Sequence, residues 1–149
     1  MKFYKTTGFI YKIQNYADAD KLVWILTKNN GKVNSIAKGV KKVTSKRAGH
    51  IDILNYNQFS FHKGRNLDTL TETKIINSFN DLKKEFVYDF FYIAELLHKI
   101  TLDNDEAAKL CEILLVFLNS ATKDTFKKQL LSFELQLLKL LGFEPNLRT

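Results

Sequence analysis

The densest run of side chains able to act on another molecule is Ala37-Lys38-Gly39-Val40-Lys41-Lys42-Val43-Thr44-Ser45-Lys46-Arg47. Five of the ten residues 38–47 are Lys or Arg, and none is acidic. A cation set near a phosphate releases condensed counterions, which gives affinity for nucleic acid without regard to sequence. The hydroxyls of Thr44 and Ser45, and backbone N–H groups near Gly39 and Gly49, add donors that position a phosphate backbone. Lys38, Lys41, Lys42, Lys46 and Arg47 are therefore the candidate phosphate contacts. Lys32, Lys63 and Arg65 extend the set, because turns at Gly31 and Gly64 could bring them to one rim. Phe9, Tyr11, Trp24, Tyr56 and Phe59 lie in the same half and could serve as stacking platforms. A small closed sheet is filled by its own side chains, so most of these rings are expected inside it. A lysine-rich loop can also be nothing more than a solvated surface. The segregation of charge described below argues for the nucleic-acid reading.

The remaining reactive side chains do not assemble by spacing. His50, His62 and His98 have no paired separation of the kind a zinc site uses, and a single cysteine excludes multi-cysteine metal modules. Cys111 falls on an apolar stripe and reads as a small core residue. Asp18 and Asp20 suit a turn between two strands. Glu134 stands beside an apolar stripe, where an ion pair or hydrogen bond to the barrel is expected. Neither a phosphate-binding Gly-rich loop nor a Gly-x-Ser-x-Gly elbow occurs. The expectation is a protein without catalytic residues, metal or cofactor.

These candidates must be held by two kinds of element. Residues 1–76 read as strands. Phe9, Tyr11 and Ile13 alternate with Ile10 and Lys12, and residues 22–26 form an apolar run rich in strand formers. Asn29-Asn30-Gly31 marks a hairpin. Val33, Ser35 and Ala37 alternate again. Ile51, Ile53, Phe59 and Phe61 suggest a long, bent fourth strand, and residues 67–75 a fifth. Five short strands joined by turns predict a closed barrel of the oligonucleotide-binding (OB) type.

Residues 77–149 read as three helices. Leu82, Phe86, Phe90, Ile93, Leu97 and Ile100 share one face, with Ser78 or Asn80 as cap. Ala107, Cys111, Leu114 and Leu118 mark the second, with Asp103, Asp105 and Glu106 at its start. Phe126, Leu130, Phe133, Leu137 and Leu141 mark the third, opened by Thr122 or Asp124 and closed by Gly142 and Pro145. The predicted class is α+β: a five-stranded OB-type barrel over 1–78 followed by a three-helix bundle over 79–149.

The net charge of +7 divides unevenly between these halves. Residues 1–76 carry 14 Lys/Arg against 5 Asp/Glu, and residues 77–149 carry 9 against 11. All of the excess positive charge thus belongs to the barrel. No apolar run is long enough for a signal peptide or a membrane span, and no helix is basic along one face. A lone thiol suits a reducing compartment, so a cytoplasmic location away from membranes is expected.

The order of these features resembles the RecO family of bacterial recombination mediators. Thr7-Gly8-Phe9-Ile10-Tyr11-Lys12 resembles its opening strand, and Asp18-Ala19-Asp20-Lys21 its acidic turn. Thr27 and Gly31-Lys32 follow at a similar distance. The stretch Ala37-Lys38-Gly39-Val40-Lys41-Lys42, with Ser45-Lys46-Arg47, is similar to its basic segment. Gly64-Arg65-Asn66-Leu67-Asp68 resembles its fifth strand, and Phe133 through Gly142-Phe143 with Pro145 a helix of its helical part. The resemblance implies binding of single- and double-stranded DNA, strand annealing, and recombinase loading together with RecR and single-stranded DNA-binding protein, without turnover. It also implies a difference, because family members commonly continue into a cysteine-bearing zinc segment and no cysteine follows Cys111. Two other functions fit the residues. One is a protein-interaction module whose lysines hold an acidic protein tail. The other is an RNA-binding OB protein, since such barrels bind both nucleic acids.

Overall fold

The computed structural model describes residues 2–39 and 48–143. Five strands, β1 (Phe3–Tyr16), β2 (Asp20–Thr27), β3 (Lys32–Ala37), β4 (Tyr56–His62) and β5 (Asp68–Asn77), precede four helices. These are α1 (Asn80–Glu85), α2 (Val87–Lys99), α3 (Asn104–Ser120) and α4 (Phe126–Leu140). The strands close in the order β1-β2-β3-β5-β4, with only β3 and β5 parallel. This is the OB-type barrel that the strand pattern predicts.

β1 closes the barrel by pairing on both sides, with β4 through Phe3–Phe9 and with β2 through Gly8–Tyr16. Gly8 sits in both ladders, opposite Thr27 and Asn57. A Cβ there would lie 2.2 Å from the Leu26 carbonyl oxygen, so only glycine allows the two ladders to meet. Just beyond, a bulge between Ile10 and Lys12 breaks the period of two. Ile10 and Ile13 face the barrel interior with Val23, Ile25, Phe59, Phe61 and Leu70. Phe9 and Tyr11 face outward into a second cluster shared with Leu26 and the helices. The unbroken alternation expected from Phe9 to Ile13 is therefore corrected by one extra residue. Phe9, Tyr11, Tyr56 and Phe59 are all buried, but only Phe59 fills the barrel as expected; Phe9, Tyr11 and Tyr56 lie on its outer face, because the helices cover that face and bury them there.

Three other expectations change. The fourth strand begins at Tyr56 and not near Ile51, because the chain makes a short 3-10 turn (Ala48–His50) and a left-handed residue at Leu54 (φ 57°) first. Ile51 still reaches the barrel interior, and Leu54 reaches the second cluster. The first predicted helix is divided into α1 and α2 at Phe86 (φ −123°, ψ 44°), whose ring stacks on Phe126 at 4.1 Å. Neither Ser78 nor Asn80 caps α1. Phe79 takes the left-handed conformation, buries its ring against Phe9, and gives its N–H to Asn77 Oδ1 at 2.9 Å.

α3 opens with a capping box in which Asp103 and Glu106 each accept the other's backbone N–H. The start of α4 is tied by Thr122 and Thr125, whose hydroxyls take each other's N–H groups. α4 closes with Gly142 (φ 90°), the Gly142 N–H donating to Lys139 O and the Phe143 N–H to Leu138 O. That double bond pattern is a Schellman ending, and it places Gly142 where the sequence predicts it. Pro145 lies outside the described residues. Among the described residues no helix is long and apolar enough to cross a membrane.

Candidate nucleic-acid interface

The basic segment leaves the end of β3. There Lys38 is exposed, and the next residue donates its backbone N–H to Asp20 Oδ1 at 2.8 Å. Asp20 thus fastens the root of the segment to the β1–β2 turn, the kind of duty expected of it. Lys41, Lys42, Lys46 and Arg47 lie outside the described residues.

The other three candidate cations line one depression beside the barrel wall, between the β2–β3 hairpin and the β4–β5 loop. Lys63 and Arg65 are exposed on that loop. Its position is fixed by Asp68, which accepts the Tyr4 hydroxyl and the Gly64 N–H. Burial and this carboxylate both raise the Tyr4 pKa, so the phenol stays protonated as a donor.

Lys32 has a different role from the one its sequence position suggests. Its ammonium donates to the carbonyls of Leu97 (2.7 Å), Ile100 (2.7 Å) and His98 (3.3 Å) at the end of α2. An ammonium has three protons, so its donors are engaged inside the protein. The same group lies 4.9 Å from the centre of the Tyr11 ring, and burial lowers its pKa. Lys32 therefore ties helix α2 to the barrel by capping carbonyls that lack helical partners.

Strand register adds residues that sequence spacing does not single out. Lys12 pairs with Trp24, and Trp24 pairs with Asn34, giving one row across β1, β2 and β3. The row faces outward. Val23, Ile25 and Val33, its neighbours along the strands, point into the barrel. Lys12 Nζ sits 4.9 Å over the Trp24 ring, a cation–π contact. Trp24 is half-buried and packs against the helix-facing cluster, and it is the least buried of the five candidate stacking rings. Asn34 is exposed and belongs to the depression that also holds Lys63 and Arg65. The signal for this row was Lys12 within an apolar strand. It becomes readable only once the bulge at Ile10/Lys12 sets the facing.

Among the described residues, no three of the His, Cys, Asp and Glu side chains come together as a metal-binding group. His50 hydrogen-bonds Thr73 O through Nδ1 at 3.0 Å, His62 packs edge-on to Phe3, and His98 Nε2 lies 3.5 Å from Lys12 Nζ. Burial and the nearby Lys12 and Lys32 ammonium groups lower the His98 pKa. Cys111 is buried beneath Leu26, and desolvation raises its thiol to about 12. Glu134 accepts the Tyr92 hydroxyl at 2.5 Å, so its partner is helix α2 and not the barrel.

Comparison with known proteins accounts for both halves of the chain. Residues 1–79 match the family model described as recombination protein O, N terminal, and residues 90–149 the one described as recombination protein O, C terminal. A protein of Symbiobacterium thermophilum named DNA repair protein RecO is 31% identical over 151 residues, covering 99% of this chain and 60% of that protein. Its namesake in Clostridium perfringens is 36% identical over 149 residues, covering 96% and 60%. The namesake in Heliobacterium modesticaldum is 32% identical over 152 residues, covering 99% and 54%. The chain thus spans little more than half the length of these relatives. Two adjoining family models across a barrel and its helices, together with these relatives, show that the chain belongs to the recombination protein O (RecO) family.

Proposed function

We propose that this chain is a DNA-binding mediator of recombination and repair that works without catalytic turnover. It binds single- and double-stranded DNA through the barrel, promotes annealing, and assists recombinase loading with RecR and single-stranded DNA-binding protein. The observation that carries this reading is the confinement of all excess positive charge to the barrel half, with Lys63 and Arg65 placed beside the Lys12–Trp24–Asn34 row. Phosphates are met by cations, and the part of Trp24 left in solvent can contact a base of any sequence. The names of the related proteins support the repair context.

The test is a salt titration of binding to single-stranded DNA, double-stranded DNA and RNA of equal length. If about five phosphates are neutralised on a single strand, log affinity falls against log salt with a slope of about −3.5. A slope near zero defeats the reading, and tighter binding to RNA redirects it to an RNA partner. Replacing Lys41 and Lys42 by Glu is expected to weaken all sequences alike.

A second reading, a protein-interaction module, is favoured by the apolar surfaces of the helices. Tyr88, Phe91, Leu131, Leu135 and Leu138 are exposed there. Competition separates the two: an acidic peptide that displaces DNA shares the basic surface, and one that binds alongside DNA uses another.

A further inference from the structure

Deepening the reading of the barrel as a DNA surface, we propose that the depression between β3 and the β4–β5 loop receives one nucleotide of a bound single strand. Its phosphate lies on Lys63 and Arg65, and its base edge lies against the side-chain amides of Asn34 and Asn66.

The depression exists because the barrel seam is short. β3 pairs with β2 along its whole length, but with β5 only at Ser35 and Ile36. From Lys32 to Asn34 that second edge has no strand partner among the described residues. The β4–β5 loop stands off from it and leaves a space of about 430 Å3. That is within the size range of small-ligand sites and well beyond what a bare phosphate fills.

The charge in this space is available. Among the described residues neither the Lys63 nor the Arg65 side chain has an ion pair or hydrogen bond. The carboxylate on the wall, Asp68, has each oxygen engaged, one by the Tyr4 hydroxyl and one by the Gly64 N–H. It holds the loop in place and leaves the cations to an outside anion. Arg adds the planar fork that grips two phosphate oxygens.

The rest of the wall is mostly amide, with Asn30, Asn34, Asn66 and Asn104 beside Tyr4 and Val33. Amides offer both a donor and an acceptor, which is how Asn reads the edge of an unpaired base. An extended peptide would want apolar subsites for its side chains, and this wall has few. The position is also right for a strand already on the barrel. Asn34 is the cross-strand partner of Trp24, about 5 Å away across the ladder. A nucleotide beside the Lys12–Trp24 pair therefore has its neighbour at the mouth of the depression.

The experiment is a two-dimensional 1H–15N NMR titration of the 149-residue chain with inorganic phosphate, thymidine 5′-monophosphate and a twelve-residue oligothymidylate. Phosphate is expected to shift the backbone signals of Gly64 and Arg65. The mononucleotide is expected to shift these and also the side-chain amides of Asn34 and Asn66. The double substitution Lys63→Glu, Arg65→Glu is expected to abolish both sets of shifts. It should weaken the oligonucleotide at least tenfold and reduce the salt slope by about 0.7, one phosphate's worth. Asn34→Ala should keep the phosphate shifts and lose the preference for the mononucleotide over phosphate. Both variants alter exposed side chains, and an unchanged melting temperature checks that they fold. The proposal is overturned if phosphate and mononucleotide shift only other residues. It is equally overturned if the double variant binds the oligonucleotide with an unaltered slope, or if the two small ligands shift the same signals with equal affinity, which leaves an anion site only. Mononucleotide shifts in the depression without any oligonucleotide binding would uphold the pocket and sink the wider DNA reading.

Discussion

The barrel and the helices solve the burial problem in different ways, and the difference explains where charge can go. The barrel closes on itself, so one face of every strand is buried without help from outside. Its interior cluster of Ile10, Val23, Ile25, Phe59, Phe61 and Leu70 needs no helix. The outer faces are then free, except where Phe9, Tyr11 and Leu26 accept the helices. Lys12, Lys63 and Arg65 can occupy the rest without displacing apolar area. The helices have no such closure. α2, α3 and α4 bury one stripe each against the barrel and one another, and α2 and α4 keep further apolar residues in solvent. Among the described residues the helices pair charges between elements, as Lys127 on α4 does with Asp89 on α2 at 2.6 Å and Lys83 on α1 with Asp52 at 3.5 Å, and with 9 Lys/Arg against 11 Asp/Glu in residues 77–149 no one sign dominates.

The sharpest way to break this contrast is to test whether the two regions fold as one. Phe9 lies in a β1 strand yet belongs to the helix-facing cluster, 4.9 Å from Tyr56 and 6.4 Å from Phe79. Phe9→Ala is expected to cost about 3–5 kcal/mol and still give one transition by chemical denaturation. Circular dichroism at a helical wavelength and tryptophan fluorescence from Trp24 should move together. Separate midpoints would mean that the barrel stands alone.

Lys32 sharpens the contrast, because it is a barrel cation that serves a helix. Lys32→Met is expected to lower stability by about 1–2 kcal/mol, a figure kept small because the site is partly open to water. The salt slope for DNA should stay the same. A changed slope with unchanged stability would return Lys32 to the phosphate-binding set.

Asp103→Ala removes one half of the α3 capping box and is expected to cost about 1 kcal/mol, with DNA affinity unaltered. Denaturant midpoints and a binding isotherm measured on the same sample would check both parts. The smallest effect at neutral pH concerns Cys111. Its folded pKa of about 12 exceeds the ordinary value of 9.0, so the native state holds the proton. Stability is full below pH 9 and declines as pH rises from there toward 12, where the unfolded chain releases the proton first. At pH 8 a thiol reagent should react slowly with the native protein and at once with the unfolded one. Rapid native reaction would show that α3 does not seal against β2.

Much of the fold was legible in the sequence because it rests on local rules. The Asn29-Asn30-Gly31 hairpin, the acidic start of α3 and the Gly142 ending all depend on a few adjacent residues. The failures share a cause in tertiary packing. Phe86 breaks a periodic helix to stack on Phe126, forty residues away. Phe79 takes a left-handed turn to bury its ring against Phe9. Neither preference is visible in the flanking sequence.

The candidate site divides along the same line. That cations crowd into residues 38–47, and that the barrel half is basic, is a property of the sequence alone. Charge counts are additive and need no coordinates. Which of Lys32, Lys63 and Arg65 can meet a ligand was decided by the tertiary structure, since a lysine's availability depends on the carbonyls that the fold brings to it. The row of Lys12, Trp24 and Asn34 was decided there too. A single bulge reverses the facing of every residue after it, and long-range strand pairing sets where that bulge falls.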